Sequence, residues 1–541
     1  MTTMMLGTHA SIQWVASAST FVRGWFYESD VFCENEAVLI FDDVSSENEF
    51  VKKLKALNGN FAVIHTVGGK TFAAVDRIMS FPILYARKHN NVLISDSAET
   101  LRAYLDIHKV DLCRAQEFIS AGFVTGNHTL FEGISMLQAG QYLVVEDATG
   151  EITVKDYFIH THGEYYDLTT EKLCELHDQV VLRVFRRLIN SINGGHITLF
   201  LSGGYDSRLI AVSLSRLKYQ NVTCVSFGDP RSKEVRVAKS VADELGFAWV
   251  LIHSSRRFFE SLSESDRYEN FLIQSSNGYV IPYFQGVVIE RLIQDGTIPK
   301  DTIVLSGNSG DVIEGNQFCT KFEEGNSYSR DDIIDSLIDK HYRVFGKRES
   351  QENMLRGFIS ECIPDRSCYS YEECQDIYEC FNWRQRQAKY VVNDVRCYDS
   401  YWGTRWRLPL WDNELVDFWL RVPTQARAYR RLYYEYVKAE PYRTANTLSI
   451  THRISGMLKK RAMPLVEILY PVKKLWDYLV DRNTFYAVGI RDYLKILLMT
   501  KGYQTSHITT RVYFVLRHCY GKYFDSLDET FRSSRSKVAN K

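Results

Sequence analysis

Apolar and polar positions divide the chain into stretches of different period. Residues 1–157 carry short apolar runs, Ala37-Val38-Leu39-Ile40-Phe41 and Phe61-Ala62-Val63-Ile64-His65 among them. Turn pairs such as Asn58-Gly59 and Gly68-Gly69 separate them, so this stretch predicts β-strands. From Leu168 to Ile192 the period becomes helical. Leu173, Val180, Val181, Val184, Phe185 and Leu188 form one apolar face, which stops at Gly194-Gly195. Strands and helices then alternate at 196–201, 209–219, 222–227, 234–246 and 248–252, followed by a longer helical stretch to Leu292 and a strand Thr302-Ile303-Val304-Leu305. Such alternation predicts a parallel, doubly wound sheet with ligands at the carboxyl ends of its strands. Beyond Arg330 the sequence reads as helical and aromatic to about residue 525, and Arg532–Lys537 reads as a frayed basic tail.

One junction in this pattern carries chemistry. The apolar run His196–Leu201 stops at Ser202-Gly203-Gly204, and a helical pattern with Leu209, Ile210, Leu214 and Leu217 on one face begins at once. Two glycines let the backbone approach an anion, and the first N–H groups of the helix point at it. Ser202 and Ser207 add hydroxyl donors, whereas Asp206 adds a carboxylate that phosphate would meet only across a divalent cation, so Mg²⁺ is implied. A Lys-Ser/Thr pair does not follow, which excludes a Walker A loop. The segment resembles the Ser-Gly-Gly-x-Asp-Ser pyrophosphate loop of N-type ATP pyrophosphatases. Two further strand ends support it: Val225-Ser226-Phe227-Gly228-Asp229, suited to an adenine or ribose edge, and Ser306-Gly307-Asn308-Ser309-Gly310-Asp311. Asp311 is placed to face Asp206 across a shared cation.

Composition narrows the classes. The chain has 541 residues, predicting two or three domains, and its 45% hydrophobic and 24% charged content describes a soluble globular protein. A net charge of −1 argues against broad binding to nucleic acid or an anionic membrane. Neither a membrane-length apolar run nor a signal-peptide pattern is present, so a cytoplasmic location is expected. The 11 cysteines then read as reduced thiols. Cys362, Cys368, Cys374 and Cys380 recur every six residues, but zinc ligands pair at two to four, and six-residue steps scatter over a helix.

These segments together resemble the asparagine synthetase family. The matches are Ser202–Ser207, Ser226-Phe227-Gly228, Glu234, Ala238, Leu245-Gly246, Leu305-Ser306-Gly307, Asp311, Gly315 and Arg407-Leu408-Pro409-Leu410-Trp411-Asp412. The resemblance implies that Leu201, Phe227, Ser306 and Gly307 hold AMP, that Ser202, Gly203, Gly204, Asp206 and Ser207 hold pyrophosphate, and that Asp206 and Asp311 bind Mg²⁺. Upstream, Leu57–Ala62, Asp76-Arg77, Pro82–Tyr85, Thr129–Ile134, Gly140 and Asp156-Tyr157 resemble the family's class II glutamine amidotransferase domain. The fold implied is α/β. An Ntn-like αββα sandwich over 1–160 precedes an ATP pyrophosphatase domain (adenine nucleotide α-hydrolase-like, a doubly wound parallel sheet) over 165–525 with a helical C-terminal extension, then a flexible tail over 526–541.

The chain departs from that pattern at reactive positions. A glutaminase of this class needs an N-terminal cysteine, but this sequence begins Met1-Thr2-Thr3 and its first cysteine is Cys33. Thr2 offers a hydroxyl nucleophile after Met removal, but an Asn-Gly-Glu-type oxyanion segment is missing. The family's turn glutamate is Asn308, which hydrogen-bonds but takes no proton. Its late catalytic lysine is not matched; Lys438, Lys459, Lys460, His452 and Arg453 are candidates by region. We therefore expect an ATP- and Mg²⁺-dependent, AMP-forming amide ligase without its own glutaminase, with Asp206, Asp311 and Asn308 as catalytic candidates. Its partners would be a small-molecule carboxylate and an ammonia or amine donor, with a separate glutaminase or a peptide substrate as options, and neither nucleic acid nor membrane. The alternatives are an intramolecular cyclase of β-lactam synthetase or lasso-peptide cyclase type, a non-catalytic nucleotide-binding relative, and a tRNA-modifying pyrophosphatase, which the charge balance disfavours.

Overall fold

The computed structural model describes residues 2–7, 11–28, 30–34, 37–253, 266–281, 286–308, 310–315, 317–345, 349–393, 403–438, 512–513 and 515–524. Lys459, Lys460, His452, Arg453 and the 526–541 tail lie outside the described residues.

The N-terminal part stacks two sheets. The larger runs in the order Glu151–Asp156, Gln141–Glu146, Lys70–Val75, Asn58–Val67, Thr20–Glu28 and Trp14–Ala16, with Val31–Cys33 also on Thr20–Glu28. The smaller is Thr2–Met5, Asn91–Ser95, Leu84–Lys88 and Ile134–Met136. Helix Glu47–Ala56 packs its Phe50 and Leu54 on the outer face of the larger sheet, where Phe50 stacks on Phe72 at 5.2 Å. Helix Ala98–Leu105 packs on the smaller sheet. Layers of helix, sheet, sheet and helix result, as the resemblance implied.

Two local expectations change. Ala37–Phe41 is a 3₁₀ helix rather than a strand. Its Ala37, Val38 and Phe41 are buried while Leu39 is exposed, a turn-like period that a short apolar run conceals. Asn58-Gly59 is no turn but the start of the strand Asn58–Val67. A side chain at Gly59 would collide with the Trp25 carbonyl and Phe26, so this glycine permits strand contact rather than reversal. Gly68-Gly69 does form the expected reversal, both at positive φ.

Helix Thr170–Ile192 ends in left-handed Asn193 and leads into the second sheet. Its five parallel strands run Ala248–Ile252, Val222–Phe227, Ile197–Phe200, Ile303–Ser306 and Arg405–Arg407. The first four are the expected ones; the edge strand Arg405–Arg407 falls in a region read as helical. Only three residues long, it is held by pairing with Ile303–Leu305 rather than by any period of its own. Helices Arg330–His341, Glu349–Ser360, Tyr371–Phe381 and Asn413–Leu420 follow the expected helical text. One continuous apolar core spans both sheets' interiors, joined where Trp25 meets Trp406 edge-on at 4.8 Å. Among the described residues no helix is long and apolar enough to cross a membrane.

Candidate functional site

The central strand Ile197–Phe200 is flanked on both sides, so its carboxyl end lies in the middle of the sheet's crevice. Leu201 extends it, its N–H donating to Val225 O at 2.9 Å and its carbonyl accepting from Ser226 Oγ at 2.7 Å. The next residues turn into helix Tyr205–Arg216. Gly204 occupies the N-cap and offers no side chain to the first amides, which leaves them directed at the crevice.

The two serines act on the loop itself. Ser207 Oγ accepts from Ser202 N at 3.0 Å and lies 3.1 Å from Ser202 Oγ, while Gly204 N donates to Ser202 Oγ at 3.1 Å. Arg208 clamps the turn from below, donating to Gly203 O at 3.1 Å. Glu234 packs on the loop's other side; a Cβ at Gly203 would sit 3.1 Å from its Cα.

Ser306-Gly307 reaches the same place. A Cβ on Gly307 would lie 2.5 Å from Ser207 N, so the end of the strand Ile303–Ser306 meets the first turn of helix Tyr205–Arg216 at a distance that admits no side chain. The helical turn Gly310–Ile313 follows, and a Cβ on Gly310 would be 3.3 Å from Asp206 Cβ. Asp311 belongs to this turn; its side chain lies outside the described residues. Asn308 is fixed through its backbone, N–H to Ser306 Oγ at 3.2 Å and carbonyl to the Trp411 indole at 3.1 Å. Phe227 is half-buried with its ring 5.2 Å from Phe200. Asp229 is engaged by Arg231 at 2.7 Å, a bond that pulls its carboxyl down to about 2. The crevice thus brings together Leu201–Ser207, Ser306–Asn308 and the turn that carries Asp311. Lys438 pairs with Glu435 at 3.0 Å and lies near enough to act electrostatically on Tyr205 at the start of the loop's helix.

Three residues, Arg430, Glu314 and Tyr433, escaped the sequence reading. Arg430 Nη2 donates to Asp206 Oδ1 at 2.8 Å and to Glu314 Oε2, with its side chain 10% exposed. Tyr433 lies beneath it, the ring centroid 4.5 Å from the guanidinium carbon, and directs its hydroxyl to Asp206 Oδ1 at 3.4 Å. Burial raises the Tyr433 phenol well above its ordinary value, so it donates. The available signals were slight: Glu314 stands three residues after Asp311, and Arg430-Arg431 falls where a lysine was sought. A guanidinium nitrogen shared by two carboxylates is a stand-in cation, so the donors fit a divalent metal. Among the described residues no group of three or more His, Cys, Asp or Glu converges, and Mg²⁺ characteristically takes one or two carboxylates plus phosphate oxygens.

Residues 193–432 match the family described as asparagine synthase, and residues 46–158 match the glutamine amidotransferase domain. No curated protein matches by sequence. Among solved structures, the glutamine phosphoribosylpyrophosphate amidotransferase from B. subtilis, complexed with ADP and GMP, aligns at 9% identity and a TM-score of 0.18. That alignment covers 54% of this chain and 62% of the other, less than two thirds of its length.

Proposed function

We propose, from the premise that this chain belongs to the asparagine synthetase family, that it adenylates a carboxylate with ATP and transfers the acyl group to ammonia or an amine. The family is one of ATP-dependent amide-bond ligases. The observation that carries the reading is the backbone contact between Gly307 and Ser207, beside a helix N-terminus that has no side-chain cap.

A carboxylate is a poor electrophile because its leaving group would be oxide. Its oxygen attacks the α-phosphorus, the bond to pyrophosphate breaks, and the acyl group gains AMP as leaving group. The amine nitrogen then attacks the acyl carbon, expelling AMP and losing a proton as the amide forms. The amides of Tyr205 and Asp206, in the first turn of the helix, receive the departing pyrophosphate charge, preorganised by the Ser202–Ser207 bonds. Leu201, Phe227, Ser306 and Gly307 hold the nucleotide. Mg²⁺ would be held by Asp206 and Asp311 and supplies neutralisation of that charge. Asn308 orients through hydrogen bonds and leaves proton removal to another group.

Ammonia or amine comes from outside the N-terminal sandwich. Thr2 sits within a strand and donates its hydroxyl to Asp147 at 2.6 Å, Cys33 packs against the outer apolar cluster, and Cys113 is exposed at a helix start. Incubation with glutamine should release no ammonia; release would restore a glutaminase. An internal amine, as in cyclases, remains a variant, and a product lighter than its substrate by one water would identify it.

ATP–pyrophosphate exchange in the presence of a cell extract, followed by mass spectrometry of the new amide, tests the proposal. Exchange dependent on an acid in the extract is expected. Nucleotide binding without exchange, whatever acid is supplied, would favour a non-catalytic relative, the reading that Asn308 suggests.

A further inference from the structure

We propose that Arg430 is a resident counter-cation of this site: it neutralises Asp206 and Glu314 in the nucleotide-free protein and exchanges them for phosphate oxygens when ATP arrives with its metal. The inference rests on the nucleotide-site reading above. It adds a role for two residues outside the pyrophosphate loop.

Three observations carry it. First, the same nitrogen, Nη2, serves both carboxylates, whose side chains are 18% and 2% exposed for Asp206 and Glu314. Two like charges at one point, one buried and one half-buried, require a cation between them, and here the chain supplies it. Second, Tyr429 and Arg430 are both left-handed, at φ 56° and 61°. Consecutive non-glycine residues in that region are strained and persist only where the surrounding structure holds them. The strained pair begins the segment Ala428–Lys438, and turns Arg430 inward while Tyr429 is exposed. Third, the guanidinium lies against aromatic rings. Tyr433 and Tyr434 lie 4.5 and 5.6 Å from the guanidinium carbon, and Tyr205 packs against both. The guanidinium has an aromatic floor on which to pivot.

The consequence is coupling between metal and nucleotide. Asp206 is occupied in the free protein, so a free divalent ion must displace an intramolecular partner of high effective concentration. With ATP present, the displaced guanidinium gains phosphate oxygens, which it matches in a bidentate fork. By linkage, nucleotide then raises metal affinity as much as metal raises nucleotide affinity.

Mn²⁺ titrated into the nucleotide-free protein, with free ion read by electron paramagnetic resonance, tests this without ATP, acid or turnover. Arg430→Met should bind Mn²⁺ about 10-fold tighter than wild type, within the usual 5–150-fold range of such couplings. Adding Glu314→Gln should cancel that gain. The same Arg430→Met protein should bind a non-hydrolysable ATP analogue with Mg²⁺ about 10-fold more weakly. Should the methionine variant fail to fold, Arg430→Gln keeps a donor without the charge and should give the same gain. Equal nucleotide-free Mn²⁺ affinity in wild type and folded variant would overturn the proposal. Because no acid is involved, that outcome is separable from a failure of pyrophosphate exchange.

Discussion

Asp206 shows how much one side chain is asked to do at this site. It is the first-turn acid of a helix whose N-terminus faces the crevice, a position a carboxylate favours on its own account. It also holds Arg430 and abuts the turn bearing Asp311. Asp206→Asn keeps the shape and removes the charge. Pyrophosphate exchange should fall about 100-fold or more, the scale of a lost electrostatic contact at a transition state. Far-UV circular dichroism should be unchanged, because Arg430 retains Glu314. Exchange at the wild-type rate would remove Asp206 from the chemistry. The strand–turn–helix junction was legible in the sequence because an apolar run broken by Ser202-Gly203-Gly204 gives way at once to a helical period. Arg430 was not, because its approach depends on two left-handed residues that leave no mark in composition or period.

Helix Thr170–Ile192 illustrates what element-scale reading captures and omits. Its apolar stripe predicted the buried face, but not His177, which that face also buries. His177 sits within an aromatic cage, 4.3 Å from Tyr436, 5.1 Å from Phe418 and 5.1 Å from Trp419. Burial pushes its imidazole down to about 3. The unfolded chain takes up this proton near pH 6.5, while the folded one resists until about 3. Stability from this group is therefore present above pH 6.5 and lost as pH falls toward 3, by up to about 1.4 kcal/mol per unit. His177→Phe should flatten the urea midpoint's dependence on pH between about 4.5 and 7, where only the histidine side chain titrates at its ordinary pKa. An unaltered slope would mean that His177 opens to solvent. His160, His162 and His341 are also buried and depressed, so part of the slope should persist. Elsewhere, the four long-patterned strands of the parallel sheet were readable, whereas Arg405–Arg407 was not: three residues carry too few positions for a period, and long-range pairing decides them.

At the scale of the whole molecule, the two sheets share a core instead of meeting across water. Trp25 from the sandwich packs edge-on against Phe81 and Trp406, with the Arg407 guanidinium carbon 4.1 Å from its ring. Asn58 bonds Asp412 at 3.0 Å and Arg187 bonds Asp412 at 2.8 Å, so the Pro-Leu-Trp-Asp turn is anchored from both sides. Calorimetry should record a single transition, and Trp25→Ala should lower it as a whole by about 3–5 kcal/mol. Two transitions, only one of them shifted, would show independent units. This union explains why an amidotransferase-like fold persists where its chemistry is proposed to be lost. The edge strand Arg405–Arg407 has a further consequence during synthesis. On the ribosome, Ile303–Ser306 emerges roughly a hundred residues before its outer partner and presents an open edge for the seconds that translation takes. A nascent chain at that stage already has the Ser202–Ser207 loop but neither Trp411 nor Arg430, so an unfinished polypeptide carries that loop without the residues that hold Asn308 and Asp206.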